Sequence, residues 1–410
     1  MSNPTGKKAL ILAERFYPEE FLVNSLAEAW QKQGNPFEVL TQAPSYPFGK
    51  VSRYPGYKNR LYSTTGWNGT PVHRFFTVQG YKSSRLLKIL NYLNFVVTGT
   101  FCLLFLGKRY HTVFIYQTGP LTMALPAVLL KRIFRFRIVI WTQDLWPDGV
   151  YEYGFKKRRL LSAFLNHIVR SVYRNCDRIL VSCEGFIERL KKYTDKEIMF
   201  IPQWSNFEAG TVEIVAEKLL EPGKFHFTFA GNISRHQNLE NVILGFGRIA
   251  AQKEDICLNI IGDGYHLETL QHLVAGNGIR NVRFYGRKPL DAIPGYLGQS
   301  DALVISLLGT PLLELFIPSK FQTYLSFGKP VVCLMNGAVK EFVRGAGIGV
   351  YGDPNDPEAI GQALEKASSL DAGEKEQISR NCRMLLDTTF NKERLIGEIT
   401  ERVFNMPAFF

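Results

Sequence analysis

The run Ile317-Pro318-Ser319-Lys320-Phe321-Gln322-Thr323-Tyr324-Leu325-Ser326-Phe327-Gly328-Lys329-Pro330-Val331-Val332 reads as a loop, a short helix, a glycine stop and a buried strand. Pro318 and Ser319 suit a helix start and Gly328 a helix end. Lys320 then falls in the first helical turn, where free backbone N–H groups and the positive end of the helix dipole already favour an anion. That pairing suits phosphate, and a diphosphate is the natural ligand. The same residues also fit a plain N-cap followed by a solvated lysine.

Working outward, short apolar runs recur between helical patterns at 9–13, 37–41, 72–76, 113–116, 138–141, 179–182 and 199–201. Each is rich in β-branched or aromatic residues and is followed by Gly, Pro or a polar cluster. This alternation predicts a parallel sheet with helices on both faces. A second series follows at 225–230, 257–261, 282–285, 303–305, 330–334 and 348–351. The fold expected is α/β, with two doubly wound, Rossmann-like domains facing across a cleft. Their bounds are read as 1–205 and 206–390, with a hinge at about 205–222. A closing helix at 391–410 is expected to cross back to the first domain. In such sheets ligands bind beyond the carboxyl ends of the strands, so function belongs on the loops that follow them.

A chain of 410 residues, 21% charged and 46% hydrophobic, has the balance of a globular protein too long for one core. Its net charge of +12 calls for an anionic partner. The six cysteines are scattered without C-x-x-C spacing and read as reduced core residues of a cytosolic protein. No long apolar region opens the chain as in a signal peptide. Asn68-Gly69-Thr70 and Asn232-Ile233-Ser234 match the glycosylation sequon, which matters only in a secretory setting.

The first strand of the second domain runs into Gly231-Asn232-Ile233-Ser234-Arg235, where a glycine lets a ligand approach the backbone and Arg235 could hold phosphate. Ile261-Gly262-Asp263-Gly264 ends the next strand in the same style. Taken alone, each motif reads first as a plain β–α turn, since a single glycine is a weak signal. In the first domain, Gln143 and Asp144 follow a central strand, and Glu14, Glu19 and Glu20 follow the first strand. Position places all of them at the cleft. Asp144 could act as a base, orient a hydroxyl or cap a turn. No D-x-D pair, H-E-x-x-H, clustered His/Cys set, G-x-S-x-G or Walker A run occurs, and the first strand lacks G-x-G-x-x-G. Neither metal nor nicotinamide cofactor is therefore expected.

Residues 89–107 carry no charge and are long enough to span a bilayer. They sit between strands, so a buried or interfacial helix is the expected form. Lys82, Arg85 and Lys88 precede it, and Lys156, Lys157, Arg158 and Arg159 open a later amphipathic helix. These favour an anionic membrane surface. The aromatics follow core spacing and no recognition motif accompanies the cations, so nucleic acid is not expected.

Glu14 to Phe21, Ala43 to Lys50, Gln143-Asp144-Leu145-Trp146-Pro147, Ile201-Pro202-Gln203-Trp204, Phe229-Ala230-Gly231-Asn232-Ile233, Gly262-Asp263-Gly264 and Pro318-Ser319-Lys320 with Gly328-Lys329-Pro330 together resemble the retaining glycosyltransferases of family 4. The branch they resemble is the bacterial one of O-antigen and capsule enzymes, which includes fucosamine transferases. The resemblance implies a GT-B fold, a nucleotide-sugar donor on the C-terminal domain, UDP-linked, and a polyprenyl-diphosphate-linked glycan acceptor on the N-terminal one. It also implies work at the cytoplasmic face of the bacterial plasma membrane.

By that similarity, Lys320 and Arg235 hold the donor diphosphate and act in catalysis with Asp144. Gly231, Asn232, Gly262, Ser319 and Thr323 lie against the donor, and Arg287 and Lys288 meet its base. Glu14, Glu19, Gln143 and Asp144 form the acceptor side. The chain departs from the family at two points. Leu315 and Thr323 stand where many members carry a glutamate pair, with Glu314 one step out of register. Ser234 stands where close relatives place glycine. A sugar-nucleotide 2-epimerase and a non-catalytic subunit that docks lipid-linked glycan are the alternative readings, since one fold hosts several functions.

Overall fold

The computed structural model of the chain describes residues 8–81, 83–152, 156–207 and 219–405. The chain divides into two units, one of Met1–Pro202 with Glu393–Phe410, the other Gln203–Lys392. That division falls just ahead of the 205/206 boundary read from the sequence. Most of the 205–222 hinge, at 208–218, lies outside the described residues, as does Lys82.

The first unit holds β1 (Ala9–Ala13), β2 (Phe37–Gln42), β3 (Tyr62–Trp67), β4 (Thr70–Phe75), β5 (Thr112–Gln117), β6 (Arg137–Thr142), β7 (Arg178–Val181) and β8 (Ile198–Phe200). They form one sheet in the order β3-β4-β2-β1-β5-β6-β7-β8. Every residue of β1, β2, β5 and β6 is buried, as in a sheet covered on both faces; hence the mostly apolar runs, which Glu38 interrupts in β2. The order reverses between β1 and β5, so the loops after those two strands flank the switch point.

The expected parallel sheet needs one correction: β3 runs antiparallel to β4 at the edge. Its joining turn is Asn68-Gly69, with φ of 47° and 84°. Two consecutive positive φ angles make the turn whose twist suits a two-residue hairpin, and Asn-Gly is its preferred pair. The sequon there is a hairpin signal.

The closing helix, Lys392–Phe404, buries Leu395, Ile396, Ile399, Val403 and Phe404 on one stripe. Phe404 meets Trp30 edge-on at 5.1 Å, the Trp30 indole N–H donates to Thr400 Oγ1 at 2.9 Å, and Thr112 Oγ1 donates to Val403 O at 2.9 Å. The buried stripe of this helix thus belongs to the core of the first unit.

The second unit holds β9 (Phe225–Ala230), β10 (Ile256–Ile261), β11 (Val282–Gly286), β12 (Ala302–Ser306), β13 (Val331–Leu334) and β14 (Gly349–Tyr351). All pair in parallel, in the order β11-β10-β9-β12-β13-β14. Phe227, Phe246, Ile260 and Ile360 belong to a single apolar cluster between this sheet and its helices. The order reverses between β9 and β12, which places the loops starting at Gly231 and Leu307 side by side at the switch point. All six cysteines are buried thiols.

Candidate functional site

In the second unit the glycine turns after β9 and β10 interlock. Gly231 and Gly262 have φ of 154° and 142°, which L side chains rarely adopt. A Cβ on Gly262 would stand 1.8 Å from Gly231 O, and one on Gly264 would stand 1.9 Å from Ile233 O. Gly231 N–H donates to Ile261 O and Ile233 N–H to Asp263 O, both at 2.9 Å. Gly262 and Gly264 therefore let one backbone cross another. They fix the shape of the Gly231 turn.

Lys320 opens the helix Lys320–Leu325 from the loop after β12 and reaches across the switch point to that turn. Its Nζ donates to Gln237 Oε1 at 2.6 Å and lies 3.7 Å from the centre of the Phe229 ring. A Cβ on Gly231 would come within 2.9 Å of it. No carboxylate pairs with this ammonium among the described residues, and burial pushes its pKa from 10.5 down to about 7. An ammonium with one neutral partner, facing a glycine turn, keeps donors that could hold an anion. The helix is anchored behind it, for the Ala230 N–H donates to the Tyr324 hydroxyl at 3.0 Å.

The other donor-side residues sort by exposure. Asn232, Arg235, Arg287 and Ser319 are exposed. Arg235 sits on the short 3-10 turn Arg235–Gln237 that also carries Gln237, and its N–H donates to the Tyr265 hydroxyl at 3.1 Å. Lys288 lies 5.6 Å from the Tyr296 ring centre, beyond the edge strand β11. The Thr323 hydroxyl donates back to Ser319 O at 3.4 Å, which ties it to its own helix. Where the glutamate pair is missing, Glu314 accepts from Asn336 Nδ2 at 3.3 Å, and Asn336 Oδ1 accepts from the Tyr351 hydroxyl at 2.7 Å. That carboxylate is turned toward the loop after β13.

In the first unit, Glu14 follows β1 and crosses the switch point, since a Cβ on Gly119 after β5 would lie 2.3 Å from Glu14 Oε2. Glu14 Oε1 accepts from Arg15 Nη2 at 3.3 Å, and the Arg15 guanidinium stacks 4.1 Å from the Tyr46 ring centre. Burial opposes the charge of Arg15, but Glu14, Tyr81 and Glu19 outweigh it and hold the group protonated. Glu19 accepts the N–H groups of Ser45 and Tyr46 at 2.8 and 2.6 Å. Burial raises its pKa against Arg15 and those two bonds. It is a clamp on the loop after β2.

Asp144 lies past β6, 3.2 Å from where a Gly149 Cβ would stand. Burial pushes its pKa up to about 7, against the Leu145 N–H and the charge of Lys88. Near neutrality it can give or take a proton. Gln143 is buried beside it, its N–H on Gln117 O at 2.9 Å. Sequence reasoning did not find Gln237 or Phe229; the only trace of Gln237 was its place in the polar turn after β9. Among the described residues no three of His, Cys, Asp and Glu cluster with metal-ligand geometry.

Two family models match the chain: Glycosyl transferase 4-like domain over residues 21–203 and Glycosyl transferases group 1 over 212–384. A probable glycosyltransferase, WbjE, of Pseudomonas aeruginosa is 24% identical over 268 residues, 62% of this chain and 65% of the relative. A putative colanic acid biosynthesis glycosyl transferase, WcaI, of Escherichia coli (strain K12) is 26% identical over 317 residues, 72% of this chain and 74% of that one. The match to WbjE thus spans just under two thirds of its length. Anabaena Alr3699/HepE, solved in complex with UDP and glucose, aligns with a TM-score of 0.68 at 14% identity, covering 98% of this chain and 100% of that one. The fold is GT-B.

Proposed function

We infer that this chain, a member of the family 4 glycosyltransferases, moves a sugar from a UDP-linked donor to a lipid-linked glycan during assembly of a bacterial surface polysaccharide, with retention of anomeric configuration. One observation carries the reading. The Lys320 ammonium is buried against a neutral amide and faces the Gly231 turn at a switch point, which is the arrangement a diphosphate completes. The UDP and glucose in the similar Anabaena structure support the donor class, and the names of the two bacterial relatives support glycosyl transfer.

In the proposed reaction an acceptor hydroxyl attacks the anomeric carbon from the face the diphosphate leaves. The bond from that carbon to the phosphate oxygen breaks, and the departing phosphate takes the hydroxyl proton. Lys320 and Arg235 stabilise the charge that develops on the leaving group. Asp144 orients the acceptor hydroxyl. The enzyme would work on the cytoplasmic face of the plasma membrane, where lipid-linked intermediates are held.

Calorimetric titration with UDP tests the carrying observation: the wild type binds and Lys320→Ala binds at least about tenfold more weakly, as expected of a charge-assisted phosphate contact. Equal affinity would remove the diphosphate site. Incubating a panel of UDP-sugars without acceptor separates transfer from isomerisation, since a new sugar epimer formed from donor alone would make the chain an epimerase.

A further inference from the structure

The helix Arg85–Leu106 wears its apolar residues on the wrong side for a water-soluble unit. Its inner face is already committed: Asn91 Oδ1 accepts the Val78 N–H at 3.0 Å, Asn94 Nδ2 donates to Phe76 O at 2.6 Å, and Phe95 and Leu103 are buried beneath. The outward stripe at i, i+3 and i+4 spacing is Leu86, Leu90, Leu93, Val97, Phe101 and Leu104, every one exposed. Phe105 adds 80% of its surface. At about 1.5 Å per residue the stripe runs roughly 30 Å, far beyond the scattered apolar exposure of an ordinary surface.

Two further helices of the same unit also expose large apolar residues. Leu125–Phe134 packs on the first helix, with Pro126 3.3 Å from where a Gly99 Cβ would stand. It exposes Leu129 and Ile133 one turn apart. Lys131 ties it to the end of Arg159–Asn175 through Asn175 O and Asp177 Oδ2, both at 2.7 Å. That third helix exposes Leu160 and Phe164 on its first turns.

Charge decides what covers this face. Residues 85–109, 125–135 and 156–174 contain no Asp or Glu. They do carry exposed cations at the borders: Arg85, Lys108 and Arg109 at the ends of the first helix, Arg132 and Arg135 on the second, and Lys156, Lys157, Arg158 and Arg159 ahead of the third. A second copy of the chain would bring the same positive border against this one. An anionic lipid surface matches both the apolar stripe and the cations around it.

We propose that the outward faces of these three helices dock the first unit on an anionic leaflet, with Arg85–Leu106 lying along the interface instead of crossing it. The helix passes the length test for a span, but one of its faces is bonded to the sheet and its loops. The charge of Lys88, in its first turn, is felt by Asp144. A lipid-linked acceptor resting in the same leaflet would approach the first unit from this face. That role rests on the function proposed above; the docking itself does not.

Flotation of the full chain with vesicles of phosphatidylcholine alone, or mixed with phosphatidylglycerol, tests the proposal alongside UDP binding. The wild type should float with the mixed vesicles and be released by high salt. Replacing Lys156, Lys157, Arg158 and Arg159 by Gln should lower partitioning at least about tenfold at low salt, and Leu93→Gln with Phe101→Gln should do so by a comparable factor. Both variants change exposed residues and should bind UDP as the wild type does. Flotation that ignores lipid charge and salt and yields only to detergent would make the helix a true span. A wild type that ignores both vesicles and is a dimer, broken to monomer by Phe101→Gln, would assign the face to a second copy. Flotation as expected in a protein that does not bind UDP would leave the docking standing and remove the UDP-donor reading.

Discussion

Lys320→Met should make the empty protein more stable and blind to UDP. Unfolded, the lysine ammonium keeps its proton up to about 10.5; folded, burial with only Gln237 and the Phe229 ring for company lowers that to about 7. Folding therefore costs free energy whenever the ammonium must be buried charged or stripped of its proton. The full linkage between those values is about 5 kcal/mol, and water reaching the residue's remaining exposed surface trims this to roughly 2–4 kcal/mol near pH 7. The sign is fixed: the penalty is complete below the folded value, shrinks as pH rises above it, and vanishes above the unfolded one. The advantage of the methionine variant in urea unfolding should thus be largest at or below about pH 7 and nearly gone by about pH 10. Donor binding reverses the shift, because a diphosphate holds the proton on. Wild-type titrations above neutrality should take up protons from the buffer, and affinity should fall by up to about tenfold per pH unit. The variant should show neither effect. If it is no more stable than the wild type near pH 7, or its advantage is constant with pH, Lys320 is not an unpaired buried cation and the argument fails.

Asp144→Asn should leave UDP affinity unchanged and lower turnover; the rise of wild-type kcat with pH through about 7, as the carboxyl ionises, should flatten in the variant. Loss of UDP binding in its place would move Asp144 out of the acceptor side. Arg235→Ala should weaken UDP binding by less than Lys320→Ala, about three- to tenfold, because its exposed side chain is screened by water; an effect equal to that of Lys320 would refute the ranking. Gly262→Ala must displace Gly231 O, 1.8 Å from the new Cβ, so both the urea midpoint and UDP affinity should fall. Retained affinity in a folded variant would show that the turn tolerates the shift.

The strands were readable because a parallel sheet covered on both faces leaves no polar alternation to confuse the pattern, as in β1, β5 and β6. The strand that escaped, β3, is the one whose residues alternate between exposed and half-buried at an antiparallel edge. Its signal lay in Asn68-Gly69. The site divides the same way. Lys320 could be found from the local order of proline, serine and a following helix, whereas Gln237 is 83 residues away in sequence and meets it only through the strand order that sets β9 beside β12. Glycine and carboxylate at strand ends were ambiguous for a physical reason: the loops there touch one another as well as any ligand. Gly262 serves a backbone crossing, and Glu19 holds two backbone N–H groups, while Gly231, with the same local look, faces the Lys320 ammonium, and Asp144 carries a carboxyl whose pKa burial raises to about 7.

The choice of partner for Lys320 follows from what the site must do. A carboxylate beside the ammonium would keep it charged at all times, but a diphosphate would then have to compete with that carboxylate or sit against its negative charge. A neutral amide imposes neither cost. Gln237 accepts one N–H bond and fixes the direction of the Nζ, the Phe229 face tolerates a cation, and the remaining charge is free for an incoming anion. On the proposed function, the cost of holding the empty site charged and its affinity for diphosphate are coupled. A change that relieves the first, such as Gln237→Glu, should weaken the second, although it places a stronger hydrogen-bond acceptor at the same position.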